Sequence, residues 1–301
     1  MSMNKLLLVD GSALLHRAYH AYPPLRSKSG VIVGAVYGVA SMLVTALNEQ
    51  EPDSVVVAWD LPKPTFRHKM YIGYKAQRKK ADAEMVEQIP LVKEMIEVMG
   101  LEQVEEEGYE ADDVIGTLSV QSDMRVVILT GDQDLMQLVT SQVSVLLPPR
   151  GKIPAKLFGP DEVLEKYGVS VEQFVDYKAL VGDPSDNIPG VRGIGPKGAM
   201  NLLREYESLD QIYENLGKIS ERVREKLETN KESAYLSRDL SKIMCEMKLE
   251  IDQEKMEYGG LKGLALKDKL EELNFRSLIR RIWKEDEKAK KQEDERQMGM
   301  F

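Results

Sequence analysis

The sequence predicts an α/β protein in two parts, a largely parallel, helix-covered sheet followed by an all-helical region. Three observations carry this prediction. Short apolar runs alternate with helical stretches through about residue 140, the pattern of a parallel sheet wrapped by helices. From about residue 160 the strand-like runs stop, and short helical stretches are separated by Gly- and Pro-rich turns. Nine acids (Asp10, Asp60, Glu110, Asp112, Asp113, Asp132, Asp134, Asp183 and Asp186) stand where predicted elements end or begin. An acid at the carboxyl end of a buried strand faces the crevice where open α/β sheets hold ligands.

Residues 5–9 (KLLLV) read as a buried strand ending at Asp10, with a helix from about Ser12 as a capping residue. Residues 34–49 form a mostly apolar helix, and SVVVAW is a second strand ending at Asp60. A basic segment spans 61–81, and an amphipathic helix at about 86–99 is closed by Gly100. A short strand at 101–104, a helix from 110, a strand at 125–129 and a helix from 132 complete the series. Residues 1–165 are thus one domain and 166–260 a helical one, with a further helical part at 261–283. The run KEDEKAKKQEDER begins a charged tail at 284–301.

The formal charge of −9 at first disfavours a nucleic-acid partner, but setting the nine acids aside leaves 41 acidic against 41 basic residues. Distribution therefore matters more than net charge. A single cysteine excludes an internal disulfide framework and any cysteine-based metal site. The apolar run at the N-terminus is too short for a signal peptide, and no stretch approaches a membrane span. The expectation is a cytoplasmic protein without a membrane partner.

Nine carboxylates cannot share one crevice unless cations neutralise them, because like charges raise each other's pKa. Oxygen-only ligands suit Mg²⁺ or Mn²⁺, and paired ions of that kind serve phosphodiester hydrolysis. Singly, the clusters have plainer readings: acids in a first helical turn complement the helix dipole, and GDPSDN is rich in turn formers. Residues 61–81 carry seven Lys or Arg residues, no acid, and Phe66, Tyr71 and Tyr74 interleaved. Cations for phosphate and rings for bases suit a single strand, while a solvated basic loop is the plainer reading. GVRGIGPKGA can offer backbone N–H groups to phosphate at a helix start, or serve close helix packing.

The segments LLLVDGSALLHRAY, AWDLPKPTFRHKMYIGYKAQR, EGYEADDVIGTL, ILTGDQDLMQLV and LVGDPSDNIPGVRGIGPKGAMNLL resemble, in order and spacing, the 5′-nuclease domain of bacterial DNA polymerase I. That domain belongs to the flap endonuclease superfamily. The resemblance implies a PIN-like fold, a largely parallel twisted sheet covered by helices, with a helical arch at about 61–85 and a helix–three-turn–helix subdomain. It implies two Mg²⁺ (or Mn²⁺) sites. Asp10, Asp60, Glu110, Asp112, Asp113 and Asp132 would surround the first, and Asp134, Asp183 and Asp186 the second. Lys75 and Arg78, in YKAQR, would meet the scissile phosphate. Arg67, Tyr74, Lys79 and Lys80, with Gly193, Gly195, Lys197 and Gly198 of the glycine turn, would meet DNA. A K⁺ ion would lie on carbonyls of Leu180, Val181, Pro189, Val191 and Ile194. The segment after Arg78 departs from the family in lacking prolines, so a more helical arch is expected there.

The resemblance implies a monomeric, nucleoid-associated enzyme acting on DNA with a free 5′ end or 5′ flap, including RNA-primed strands, as 5′→3′ exonuclease and flap endonuclease. The rival reading is a flap-DNA-binding protein with little or no nuclease activity. Retention of Asp134, Asp183 and Asp186 argues against it. The chain is either a separate gene product or a domain cut from a polymerase. The last five residues, QMGMF, resemble peptides that dock on bacterial sliding clamps, through Gln297, Met300 and Phe301; a charged tether before them suits that role.

Overall fold

The computed structural model describes residues 4–283 apart from 152, 250 and 262. The tail at 284–301, with the QMGMF peptide, lies outside the described residues. In chain order the elements are β1 (Lys5–Asp10), α1 (Gly11–Ala21), α2 (Gly34–Gln50), β2 (Ser54–Trp59), α3 (Phe66–Met70), α4 (Ala83–Val98), β3 (Glu102–Glu105), α5 (Ala111–Gln121) and β4 (Arg125–Leu129). A 3₁₀ turn (Asp134–Leu138), β5 (Val143–Leu147), β6 (Lys156–Phe158), α6 (Pro160–Tyr167), α7 (Phe174–Val181), α8 (Pro196–Tyr206) and α9 (Leu209–Glu214) follow. Then come α10 (Glu221–Thr229), α11 (Lys231–Ser241), α12 (Gln253–Met256) and α13 (Leu264–Glu272), and residues 276–283 are helical as well.

The strands form one sheet in the order β3-β2-β1-β4-β5-β6, parallel except for β6. Their side chains alternate between two buried faces, which is why the strands read as unbroken apolar runs. Leu7, Val9, Val55, Val57 and Trp59 pack with α1, α2, α4 and α13. Leu6, Leu8, Val56, Val126 and Ile128 pack on the opposite face with α5, Phe158 and Phe174. A separate core of Leu180, Leu203, Ile212, Leu227 and their neighbours holds α7 to α11 together.

The chain runs outward from β1 through β2 to β3, then returns to β4 on the other side of β1. The crevice at the carboxyl ends of β1 and β4 is therefore the topological switch point where such sheets bind ligands.

Four expectations are corrected. Asp10, not Ser12, caps α1, its carboxylate accepting from the Ala13 N–H; the Ser12 hydroxyl accepts from Asp60 N–H instead. The helix expected from 132 is only the 3₁₀ turn, because its segment must deliver two acids to the crevice within one turn. Strands β5 and β6 were not expected: Ser144 interrupts the apolar run of β5, and β6 has only three residues. Residues 61–85 are not one helical arch. They hold the five-residue α3, turns through residue 77 and an extended stretch before α4, although prolines are absent after Arg78.

Candidate metal centre

Each strand end at the switch point delivers an acid. Asp10 closes β1 and is 3% exposed, its Oδ2 accepting from the Thr130 hydroxyl at 2.8 Å. Asp60 follows β2 directly, and its Oδ1 accepts from Ala111 N–H at 2.9 Å, which fixes the start of α5. Asp112 lies in the first turn of α5. Asp132 lies three residues past β4, its backbone N–H held by the Thr130 hydroxyl and its Oδ1 accepting from Asp134 N–H.

Asp10 and Asp112 feel the charges of this group. Burial, then the charges of Asp60 and Asp132, push the Asp10 carboxyl up to about 7 from 3.8. Burial, then Asp132, Asp10 and Asp60, raise Asp112 well above the usual carboxylate range. The elevation of Asp10 and Asp112 by their neighbours marks a site built for a positive charge that the acids alone cannot supply.

The other five acids meet protein cations. Lys178 on α7 donates to Asp134 Oδ1 at 2.7 Å and to Asp183 Oδ2 at 2.6 Å, with its side chain 12% exposed. Burial would lower the Lys178 pKa, but the two carboxylates hold it above its usual range. Burial raises Asp134 to about 6 despite Lys178, whereas the hydrogen bonds of Lys178 and Ser185 outweigh burial and lower Asp183. Asp183 and Asp186 stand on a loop closed by paired backbone hydrogen bonds between Asp183 and Ile188. Asp186 Oδ1 accepts from the Arg78 guanidinium, and Tyr74 OH donates to Asp186 Oδ2 at 3.3 Å. Lys75 donates to Glu110 Oε1 at 2.8 Å and stands 3.9 Å from Asp186 Oδ2. Its backbone is left-handed at φ 54, held there by its N–H to Asp186 O.

The structure thus brings Asp10, Asp60, Asp112 and Asp132 into one group and pairs Asp134 with Asp183 through Lys178. Tyr74 and Lys75 join Glu110 to Asp186, and Arg78 pairs with Asp186. Asp113 is a correction. It is fully buried, with both oxygens taken up by Arg67 and by the N–H groups of Met244 and Glu110. Arg67 and Tyr74, expected to meet DNA, are also buried, at 2% and 4% exposure. Both lie in aromatic-basic sequence that reads as exposed, and only tertiary contacts reverse that. Lys178 escaped sequence reading because a lone lysine on a helix carries no local mark. Lys226 escaped for the same reason; its ammonium donates to Gly193 O at 2.8 Å, beside the glycine turn.

The glycine turn leads into α8, with Gly195 as cap and Pro196 in the first turn. Arg192, Gly193, Gly195 and Lys197 are exposed, and Gly198 is half-buried. Val191 N–H donates to Leu180 O and Ile194 N–H to Val191 O, and the Pro189–Gly190 backbone packs against Gly182. Five of the expected potassium positions therefore share one neighbourhood. A Cβ on Gly182 would meet Ile188 O at 2.6 Å, and its φ is 74, so this close approach requires glycine.

The donor set fits a hard divalent cation: oxygen only, acidic, with four acids short of counter-charge. Among the described residues, no three acidic, His or Cys side chains are placed together so that they could hold a metal ion as they stand. Lys75, Arg78 and Lys178 pair with Glu110, Asp186, Asp134 and Asp183, so a divalent cation on those acids would compete with protein cations, whereas Asp10, Asp60, Asp112 and Asp132 have no such partner among the described residues.

This arrangement has a pH signature. Folded Asp10 and Asp134, at about 7 and about 6, keep protons that the unfolded chain releases near 3.8. Without a cation, stability is therefore lost as pH rises from about 4 to about 7, since the folded state binds more protons. The lowered Asp183 acts below that window and the raised Lys178 above it. Magnesium should raise the thermal midpoint much more at about pH 8 than at about pH 5, where protons compete for the same oxygens. Equal shifts at both pH values would contradict the site.

Among the described residues, no helix is long and apolar enough to cross a membrane. Residues 5–168 match the model of the 5′-3′ exonuclease N-terminal resolvase-like domain, and residues 169–263 that of the 5′-3′ exonuclease C-terminal SAM fold. DNA polymerase I of Bacillus subtilis (strain 168) is 37% identical over 289 residues, 95% of this chain and 33% of that protein. The thermostable DNA polymerase I of Thermus thermophilus is 42% identical over 278 residues, 91% of this chain and 32% of that protein. The chain spans about a third of the length of these relatives. Among solved structures, a bacteriophage T5 flap endonuclease in a pseudo-enzyme–product complex with DNA and metal ions superposes with a TM-score of 0.66 at 24% identity, over 79% of this chain and 89% of that one. The catalytic core of Rad2 in complex with a DNA substrate gives 0.59 at 16% identity, over 90% and 88%. At these identities the superpositions speak for the fold.

Proposed function

The chain belongs to the 5′-3′ exonuclease family, and on that premise we propose that it hydrolyses DNA bearing a free 5′ end or 5′ flap, as a divalent-metal-dependent 5′→3′ exonuclease and flap endonuclease. The observation that most supports this is the meeting of Asp10, Asp60, Asp112 and Asp132 at the switch point, with the Lys75 ammonium lining the same pocket as Asp112 and Asp132. Asp10, Asp60, Asp112, Asp132 and Glu110 would hold one Mg²⁺ or Mn²⁺, and Asp134, Asp183 and Asp186 would hold a second. Bound there, the pair supplies an activated water and charge compensation for the leaving 3′-oxygen.

The chain's own groups do the positioning. Glu110 raises the Lys75 pKa against burial, so Lys75 stays protonated and serves as a hydrogen-bond donor to the scissile phosphate, not as a base. Arg78, half-exposed and paired with Asp186, can exchange that carboxylate for phosphate. Lys79 and Lys80 are exposed for the single strand. On the duplex side, the N-terminus of α8 offers N–H groups near Gly195, Lys197 and Gly198, with Arg192 and Lys226 adding charge. Carbonyls of Leu180, Val181, Pro189, Val191 and Ile194 would hold K⁺ beneath that turn. The same reading makes the protein a monomer of the bacterial cytoplasm, working on RNA-primed strands in replication and repair. It assigns residues 297–301 to a sliding clamp.

A labelled 5′-flap substrate tests the reading. Cleavage near the junction is expected with Mg²⁺ and none with excess EDTA. A flap that is bound but stays intact in Mg²⁺ would favour a binding protein over a nuclease.

A further inference from the structure

Arg67 is placed unlike any other cation in the basic segment. It leaves α3 and points inward, 2% exposed, where all five of its N–H donors are used. Nη1 donates to Asp113 Oδ2 at 2.7 Å and to Glu110 Oε2 at 3.2 Å. Nη2 donates to Asp113 Oδ1 and to Lys242 O, both at 2.8 Å, and Nε donates to Leu240 O at 3.0 Å. Three parts of the chain far apart in sequence thus converge on one guanidinium: the basic segment, the acid-bearing start of α5, and the C-terminal end of α11.

The acceptors are themselves tied into the site. Asp113 also accepts from Met244 N–H, and Glu110 Oε2 also accepts from Tyr74 OH at 3.0 Å, while Glu110 Oε1 takes Lys75. Burial would lower the Arg67 pKa, but Asp113 and Glu110 raise it, so the charge stays in place. A buried bidentate pair of this kind is geometrically selective, and lysine cannot reproduce it: one ammonium cannot span two carboxylates and two carbonyls.

We infer that Arg67 is a positioning residue that sets Glu110, Tyr74 and Lys75 in the crevice by docking the basic segment on the end of α11. It does not touch DNA. This rests on the proposed nuclease reading for its catalytic consequence, while its structural consequence stands apart from it. When the tie is intact, the segment that carries Lys75 moves with the helical part that holds the duplex. Loosening it leaves every phosphate-facing cation present but misplaced.

The test compares the full chain with Arg67→Lys by hydrogen exchange, single-turnover flap cleavage and flap binding. Amides of Tyr71, Tyr74, Lys75, Ile243 and Met244 should exchange about tenfold faster or more in the variant, as a local opening. The cleavage rate should fall about 100-fold through misplacement, with the flap dissociation constant within about threefold of wild type. Unchanged exchange with weakened flap binding would overturn the inference and make Arg67 a DNA contact. Should Arg67→Lys not fold, the pair Arg67→Met with Asp113→Leu removes both partners and the carbonyl ties. The same faster exchange is expected there, and unchanged exchange overturns the proposal. If wild type itself fails to cleave, the nuclease reading falls, and the exchange comparison still decides Arg67.

Discussion

Replacing Asp112 by Asn should cut single-turnover flap cleavage by about a thousandfold or more, since a lost cation ligand removes several kcal/mol of transition-state stabilisation. Flap binding should survive, because the exposed cations and the glycine turn proposed to grip DNA are unchanged in the variant. The same variant should be more stable than wild type without a divalent cation. Among the described residues, the Asp112 carboxylate accepts no hydrogen bond, and burial with Asp132, Asp10 and Asp60 raises its pKa well above the ordinary range. Asparagine has the same shape and no charge, so the repulsion is relieved at little structural cost. A rise of about 2 °C or more in the thermal midpoint in EDTA is expected for a chain of this size. Asp10→Asn would be a poorer test, because Asp10 also caps α1 and accepts from Thr130. Scanning calorimetry in EDTA and a quenched-flow cleavage assay decide the matter. A wild-type rate, or a lowered midpoint, contradicts the assignment of Asp112.

Lys75→Met should slow cleavage by about 100- to 1,000-fold, the usual effect of deleting one donor to a developing oxyanion. Methionine keeps much of the stem while removing the ammonium. Glu110 is not orphaned, since Arg67 and Tyr74 still donate to it, and the stability loss should be no more than about 2 kcal/mol. The rate loss should appear in the maximal rate at saturating substrate. A change confined to substrate affinity would place Lys75 on the single strand and away from the scissile phosphate. The left-handed backbone at Lys75 supports the first outcome, since a non-glycine residue held at positive φ is a conformation sustained by its surroundings.

Much of the fold was legible in residue order. Strands β1, β2 and β4 announce themselves because both sheet faces are buried, so nearly every residue along them is apolar. Their acids announce themselves because a charge directly after such a run stands at a strand end. The two-part organisation follows from the loss of those runs after β6. Strand β5 escaped because Ser144 interrupts its apolar run, β6 because three residues carry too little pattern, and the supposed arch helix because its docking on the Asp183–Ile188 loop overrides local tendency. The same docking explains Tyr74: an aromatic among lysines reads as exposed until a partner covers it.

Residue order alone settles which residue types gather at the carboxyl ends of the strands, because strand pattern, turn and charge are local. How those charges are shared is settled by the folded chain. It turned Arg67 inward, made Asp113 its counter-ion and brought Lys178 between Asp134 and Asp183. Each of these depends on groups far apart along the chain, Arg67 and Leu240 being separated by 173 positions. The charge on a side chain is written in its residue, but its partner is chosen by packing, and at this site the partner determines what the charge can do.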